Sequence, residues 1–225
     1  TLSLRVSGPG LLRVSCSARL GLKEIFSFIE EKKEFIETRQ IEWQNLLAKA
    51  SVRKFESGES CSFLGVNRRL EIIEHVGREG AELKGDRLHL KVQSFEPCRV
   101  QGTLIRFYKK AGRNYLSHLV RIQSEKMKLY PKALSFRSQR TRWGSCSSQG
   151  KVSLNWRLVV APSEVAEYVV IHELAHLKHP DHSRNFWNLV EEHSPDFRVH
   201  KKWLKENQIQ FEFLDPSYLQ HVRLF

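Results

Sequence analysis

Four histidines, His172, His176, His179 and His182, fall within eleven positions of the stretch VVIHELAHLKHPDHSRNFW at residues 169–187. His172 and His176 are four apart. On an α-helix that spacing puts them on one face with backbones about 6 Å apart, so both rings can converge on one ion. Glu173, one step round the helix, can face a water held by the same ion. HExxH therefore reads as two neutral imidazole ligands for zinc and a carboxylate base for the metal-polarised water. The competing reading, an ordinary pair of helix histidines, would leave two hydrogen-bonding rings on an apolar helix without partners, which is costly.

A catalytic zinc usually takes a third protein ligand and keeps one position open. His179 shares the helical face, but on a continued helix it would lie about 10 Å along the axis from His172, too far for one tetrahedral ion. Pro180 disfavours helical geometry at His179, so the chain is expected to turn through HPDH before a new helix begins near Ser183. That turn can bring His182 back over the metal. His182 is the preferred third ligand, with Glu191 or Glu192 second and His179 third.

The elements that must position these residues are legible in outline. PSEVAEYVVIHELAHLK, from Pro162 to Lys178, starts with Pro, carries Glu164 and Glu167 in its first turn and is otherwise nearly all apolar, which predicts a buried helix. Upstream, ALSFRSQRTRW and KVSLNWRLVV read as two strands joined by the Gly/Ser-rich GSCSSQG. The VSLNWRL strand, just before the helix, is the expected edge against which an extended substrate could pair. Arg142, Trp143, Asn155 and Trp156 are candidates to line that cleft, although strand alternation lets only about half do so. Phe186 and Trp187 are expected to pack the following helix on the first. Tyr168, Arg157, His193 and His200 can each donate to an oxyanion, and the sequence selects none of them.

The remaining chain reads as α+β. LSLRV and LLRVSC alternate around SGPG, suggesting a hairpin, and a helix is predicted from Leu22 to Leu47. SCSFLGV, RRLEIIEHV and RLHLKVQ follow as strands, and a polar turn near SFEPC marks the expected boundary between regions 1–95 and 96–225. The four cysteines form no CxxC pair and are expected to be buried thiols. No leader-like start and no run of about 18 apolar residues is present, which suggests a soluble, cytoplasmic protein without a membrane partner.

The net charge of +12 is concentrated: residues 96–162 carry 14 Lys/Arg against 2 Asp/Glu. A helix predicted from Arg99 to Lys126 places Arg99, Arg106, Lys110, Arg113 and Arg121, with Lys128 just beyond, on one basic stripe. Such a stripe could contact nucleic-acid phosphates, or serve only as a solvated face.

RTRWGSCSSQGKVSLNWRLVVAP, VVIHELAHLKHPDHSRNFW and PDFRVHKKWLKEN together closely resemble the YgjP-like family of zinc metallopeptidase-type proteins, densely over residues 96–207 and more loosely before them. The resemblance implies kinship with SprT-like and WLM zincins, and a core in which a small sheet packs on the HExxH helix. It implies one zinc on His172, His176 and His182, Glu173 as catalytic base, and a polypeptide substrate. The HxxxxxH tail also fits metzincin spacing, but His179 replaces the turn glycine and no Met-turn follows. A second hydrolytic reading uses the same site on a nucleotide phosphoanhydride, with basic side chains holding the phosphates in place of a Gly-rich loop. A third is a nucleic-acid-associated peptidase that uses the basic segment, by analogy with SprT-like relatives.

Overall fold

Alternation near the N-terminus produces strands β1, Ser3–Gly8, and β2, Leu11–Ser15, which pair antiparallel with a bulge between Val6 and Gly8. The computed structural model describes residues 2–8, 11–49, 53–139 and 142–207, with Phe211 and Leu214; Pro9 and Gly10 of the expected turn lie outside them. Helices α1, Leu22–Glu31, and α2, Lys33–Lys49, follow. The single helix predicted over this stretch is divided at Lys32, whose φ of −97° and ψ of 13° leave helical values. Glu24 caps α1 by accepting the Gly21 N–H at 2.9 Å.

Short apolar-alternating runs then build a four-stranded sheet in the order β3, β4, β6, β5, from Ser60–Phe63, Val66–Glu74, Arg87–Val92 and Gly80–Lys84 respectively. The β5 strand, GAELK, was not among the predicted runs. Its partner β6 lies parallel to β4 and antiparallel to β5. Leu64 and Gly65, both at positive φ (50° and 74°), make the two-residue turn between β3 and β4.

Helix α3, Pro97–Met127, packs on β5 and β6. Leu70, Ile72, Leu88, Leu90 and Val92 of the sheet are buried with Val100, Leu104 and Tyr108 of the helix. Each such aliphatic side chain removed from water contributes roughly 1.5–3 kcal/mol. The chain divides into two compact units, Thr1–Val52 and Arg53–Phe225, and within the second the strands β3, β4 and β6 contribute to one core with the HExxH region.

A three-stranded sheet follows, from β7 (Ala133–Arg137), β8 (Gly144–Cys146) and β9 (Lys151–Asn155), in the order β7, β9, β8. Here the sequence reading needs correction. GSC is itself a strand, hairpinned to β9 through Ser147–Gly150, while β7 runs parallel to β9. The β9 strand is therefore central, and β8 is the edge on the helix side. WRLVV is not strand but a short 3-10 helix, Trp156–Val160. Trp156 is buried and donates its indole N–H to Ser138 Oγ at 2.6 Å, a structural role.

Helix α4, Ser163–Ala175, carries HExxH. Its residues Val165, Ala166, Val169, Val170, Ile171, Leu174 and Ala175 are all buried, as its unbroken apolar composition requires. Ser62 Oγ and the Leu64 and Gly65 N–H groups donate to the Val159 and Val160 carbonyls, tying the β3–β4 turn to the segment that leads into α4. Helices α5, Arg184–His193, and α6, Phe197–Glu206, complete the described elements. Cys61 is buried, but Cys16 and Cys98 are exposed and Cys146 is half-buried, so only one cysteine matches the expectation. Among the described residues, no helix is long and apolar enough to cross a membrane.

Candidate metal centre and cleft

His172 leaves the buried body of α4 at its open face, and α4 ends one turn later, with His176 at its C-cap and a turn through Lys178. The chain reverses at Pro180, and Ser183 becomes the N-cap of α5. This reversal brings His182 to His172, their Nε2 atoms 3.3 Å apart. Ligating atoms of His172, His176 and His182 all lie within 4.8 Å of one another.

The histidine cluster fits a zinc ion by its own chemistry. Two nitrogens each 2.0–2.1 Å from a tetrahedral zinc stand about 3.3 Å apart, the spacing of the two Nε2 atoms. His176 Nδ1 lies 3.1 Å from the His179 carbonyl. A carbonyl only accepts, so Nδ1 carries the proton and Nε2 presents its lone pair. Burial, then the neighbouring His176, His182 and Lys201, push the His172 ring down to about 3. His176 is also lowered, chiefly by burial. Both rings are thus neutral at pH 7 and ready to act as ligands. His172 Nδ1 is buried with no hydrogen-bond partner, which further disfavours a doubly protonated ring.

His179 contributes its main-chain carbonyl to this cluster. Glu191 is bound to Arg198 at 2.7 Å on the exposed face of α5, away from a ligand role. Phe186 is fully buried and touches all three rings, with centroids 4.9, 4.5 and 4.8 Å from His172, His176 and His182. Packing of α5 on α4 was expected of it; walling the histidine cluster was not. A buried aromatic four residues after a predicted ligand is the signal that could have revealed this.

Glu173 is 6% exposed, and burial alone raises its carboxyl to about 8. Gly144 of β8 lies directly against it. Glu173 and His172 form one wall of a cleft of ≈ 380 Å³ whose lining also includes Gln139, Arg142, Trp143, Asn155, Tyr168, Lys201 and Lys205. The predicted Arg142, Trp143 and Asn155 are thus gathered beside Glu173. Asn155, 4% exposed, spends its polar groups on the chain: its Nδ2 donates to the Gln139 and Arg142 carbonyls (2.7 and 3.2 Å), and its Oδ1 accepts from Arg157 N–H. It anchors the loop that carries Arg142. Of the four oxyanion candidates, Tyr168 alone lines the cleft. Its phenol is pushed up to about 12, by burial and then by the Glu173 charge, so it keeps its proton. Arg157 is buried, donating to the Leu214 carbonyl at 3.3 Å.

The basic stripe is exposed but partly neutralised. Arg99 and Arg106 both pair with Glu79, at 3.2 and 2.5 Å, and Lys128 with Glu125 at 3.8 Å. Arg121 lies 3.4 Å from His118, while Lys110 and Arg113 face solvent. Lys128 sits just past the helix at a left-handed cap, φ 55°. Glu79, far upstream in sequence, could not be anticipated from helical spacing.

Among curated proteins, none matches the chain. A solved structure, the metallopeptidase zymogen of Pyrococcus abyssi abylysin, is similar at 24% identity over 39% of this chain and 93% of its own, with a TM-score of 0.34, a likeness too weak to speak for fold or mechanism. The model of the YgjP-like metallopeptidase domain matches residues 1–207. With nine-tenths of its length so matched, and with a histidine triad of the kind a metallopeptidase needs for its metal, this chain belongs to the YgjP-like family.

Proposed function

We propose that the chain is a zinc-dependent peptidase of zincin type, in which His172, His176 and His182 hold one zinc and Glu173 is the general base. The observation that carries this reading is the 3.3 Å approach of His172 Nε2 to His182 Nε2 next to the buried carboxylate of Glu173. Family membership supports the polypeptide substrate. In this reading the catalytic region is the unit from Arg53 onward.

Bound zinc would supply Lewis acidity, activating a water and polarising the scissile carbonyl. Glu173, beside the zinc that would favour its ionised form, takes the water's proton and passes it to the leaving amine. The Tyr168 hydroxyl, protonated at working pH, donates to the developing oxyanion. Strand β8 offers its unpaired edge, Gly144–Cys146, to an extended peptide backbone beside Glu173. Phe186 keeps the far side of the histidine cluster free of water.

Elemental analysis of the purified chain, with Glu173→Gln in parallel, tests the reading. We expect about one zinc per chain in both proteins, and a loss of peptide hydrolysis of about 10²- to 10⁴-fold in the variant. Full activity in Glu173→Gln, or no affinity for zinc in the wild type, would refute it.

A further inference from the structure

Some cations of this unit meet acids, as Arg87 meets Glu71, Arg106 Glu79, Lys126 Glu167 and Arg198 Glu191, while others, such as Lys110 and Arg113, face solvent on α3. Three cations, Arg142, Lys201 and Lys205, instead line the cleft without an acidic partner among the described residues, and among those residues the only acid that lines it is Glu173.

Their placement is built rather than incidental. Lys201 and Lys205 are four apart on α6, a like-charge spacing that disfavours a helix. The intervening Lys202 pairs with Glu206 at 3.8 Å, leaving the other two lysines to the cleft. Lys201 Nζ sits 4.9 Å above the Trp187 ring, and Trp187 in turn packs 5.8 and 5.6 Å from the His172 and His182 rings. Trp187 thereby draws the ammonium of the exposed Lys201 toward the side of the histidine cluster. On the opposite wall, the buried Asn155 amide holds the Arg142 carbonyl at 3.2 Å, setting the root of the guanidinium side chain. Three positive groups therefore converge on a space that already contains the hydrolytic carboxylate.

We propose that this side of the cleft is an anion subsite, and that the preferred substrate is a peptide bearing a carboxylate next to the bond cleaved. The proposal rests on the peptidase reading above. Either an Asp or Glu side chain or a free C-terminus would supply the same charge. Arg142 can grip a carboxylate with two parallel N–H donors, while Lys201 and Lys205 act as mobile point charges.

The test uses the zinc-loaded full chain and matched fluorogenic peptides. One pair carries Glu or Gln flanking the cleaved bond; a second pair ends in a free acid or an amide. We expect kcat/KM to favour the charged member of at least one pair by roughly fivefold to tenfold at low salt, with the advantage shrinking as salt is added. The first pair alone responding identifies a side-chain carboxylate, and the second a chain terminus. Lys201→Glu with Lys205→Glu should reverse the preference toward Lys-flanked peptides. In parallel, binding of both pairs to zinc-loaded Glu173→Gln is read by fluorescence anisotropy, so that selectivity is measured without turnover. Equal binding and equal kcat/KM within both pairs overturns the subsite while leaving the peptidase reading intact. Hydrolysis of a nucleoside triphosphate with no peptide cleaved overturns the peptidase reading and this substrate class with it.

Discussion

Gly144 lies so close to Glu173 that a β-carbon at Gly144 would fall 2.5 Å from both Cγ and Oε1 of the glutamate. No real side chain tolerates that contact, so Gly144→Ala must push the carboxylate aside. Glu173 is the base in our reading, and a displacement of about 1 Å at a reacting group can cost about 10²-fold in rate. We expect kcat to fall by about that factor in Gly144→Ala while zinc content stays at the wild-type level. Unchanged kcat would show that the carboxylate's position does not matter to turnover.

Tyr168→Phe keeps the ring that packs against His172 and Phe197, at 5.9 and 6.4 Å, and removes only the hydroxyl. Loss of an oxyanion donor lowers kcat by about 10²- to 10³-fold and leaves KM nearly unchanged. Steady-state kinetics on one peptide decides the matter, since a purely structural tyrosine would instead show itself in the melting temperature.

Acid–base behaviour of the metal-free chain follows from two buried groups. Between pH 6.5 and about 3 the unfolded chain binds a proton at His172 that the folded chain refuses, so stability falls as pH drops through that window. Between pH 4.5 and about 8 the folded chain keeps the Glu173 proton that the unfolded chain has lost, so stability falls as pH rises. Where the windows overlap, from 4.5 to 6.5, the two slopes oppose each other. Each limb is worth at most about 1.4 kcal/mol per pH unit. Melting curves in chelator should therefore show a plateau with a decline on either side, and Glu173→Gln should abolish the decline between pH 6.5 and about 8. A decline within that window that survives this substitution would contradict the assignment.

Gly65 stands at φ +74°, and a β-carbon there would meet the Pro162 Cα at 2.7 Å. That neighbour is backbone, at the N-cap of α4, and cannot swing away. Positive φ at a non-glycine costs about 1–3 kcal/mol before any clash. Gly65→Ala should therefore destabilise the chain by about 2–4 kcal/mol, read as a lower urea midpoint. A shift below about 0.5 kcal/mol would mean that the turn does not brace α4.

The part of the site carried by consecutive residues was readable, because it depends on local rules. The apolar body of 163–175, the i,i+4 histidines and the break at Pro180 each act over a few residues, and together they dictate that His172, His176 and His182 approach one another. Strand order was not readable. GSC is too short to show alternation, and the parallel pairing of β7 with β9 pushes the expected edge strand into the middle of its sheet. The Glu79 that neutralises Arg99 and Arg106, the β5 strand and the packing of α3 on β5 and β6 were hidden for the same reason: they depend on contacts between distant residues. Asn155, expected only as a candidate to line the cleft, does line it, but its amide bonds to the Gln139 and Arg142 carbonyls depend on a loop whose course local sequence does not set.

All three histidines lie within the eleven residues from 172 to 182, whereas the glycine that seats Glu173 comes 28 positions before His172, on a strand of the three-stranded sheet. Closing a ten-residue loop takes only about 10–100 ns and little entropy. A nascent or damaged chain could therefore capture its ion well before the sheet is assembled around the base. Ion occupancy would then be a poor gauge of how many molecules in a preparation are able to turn over.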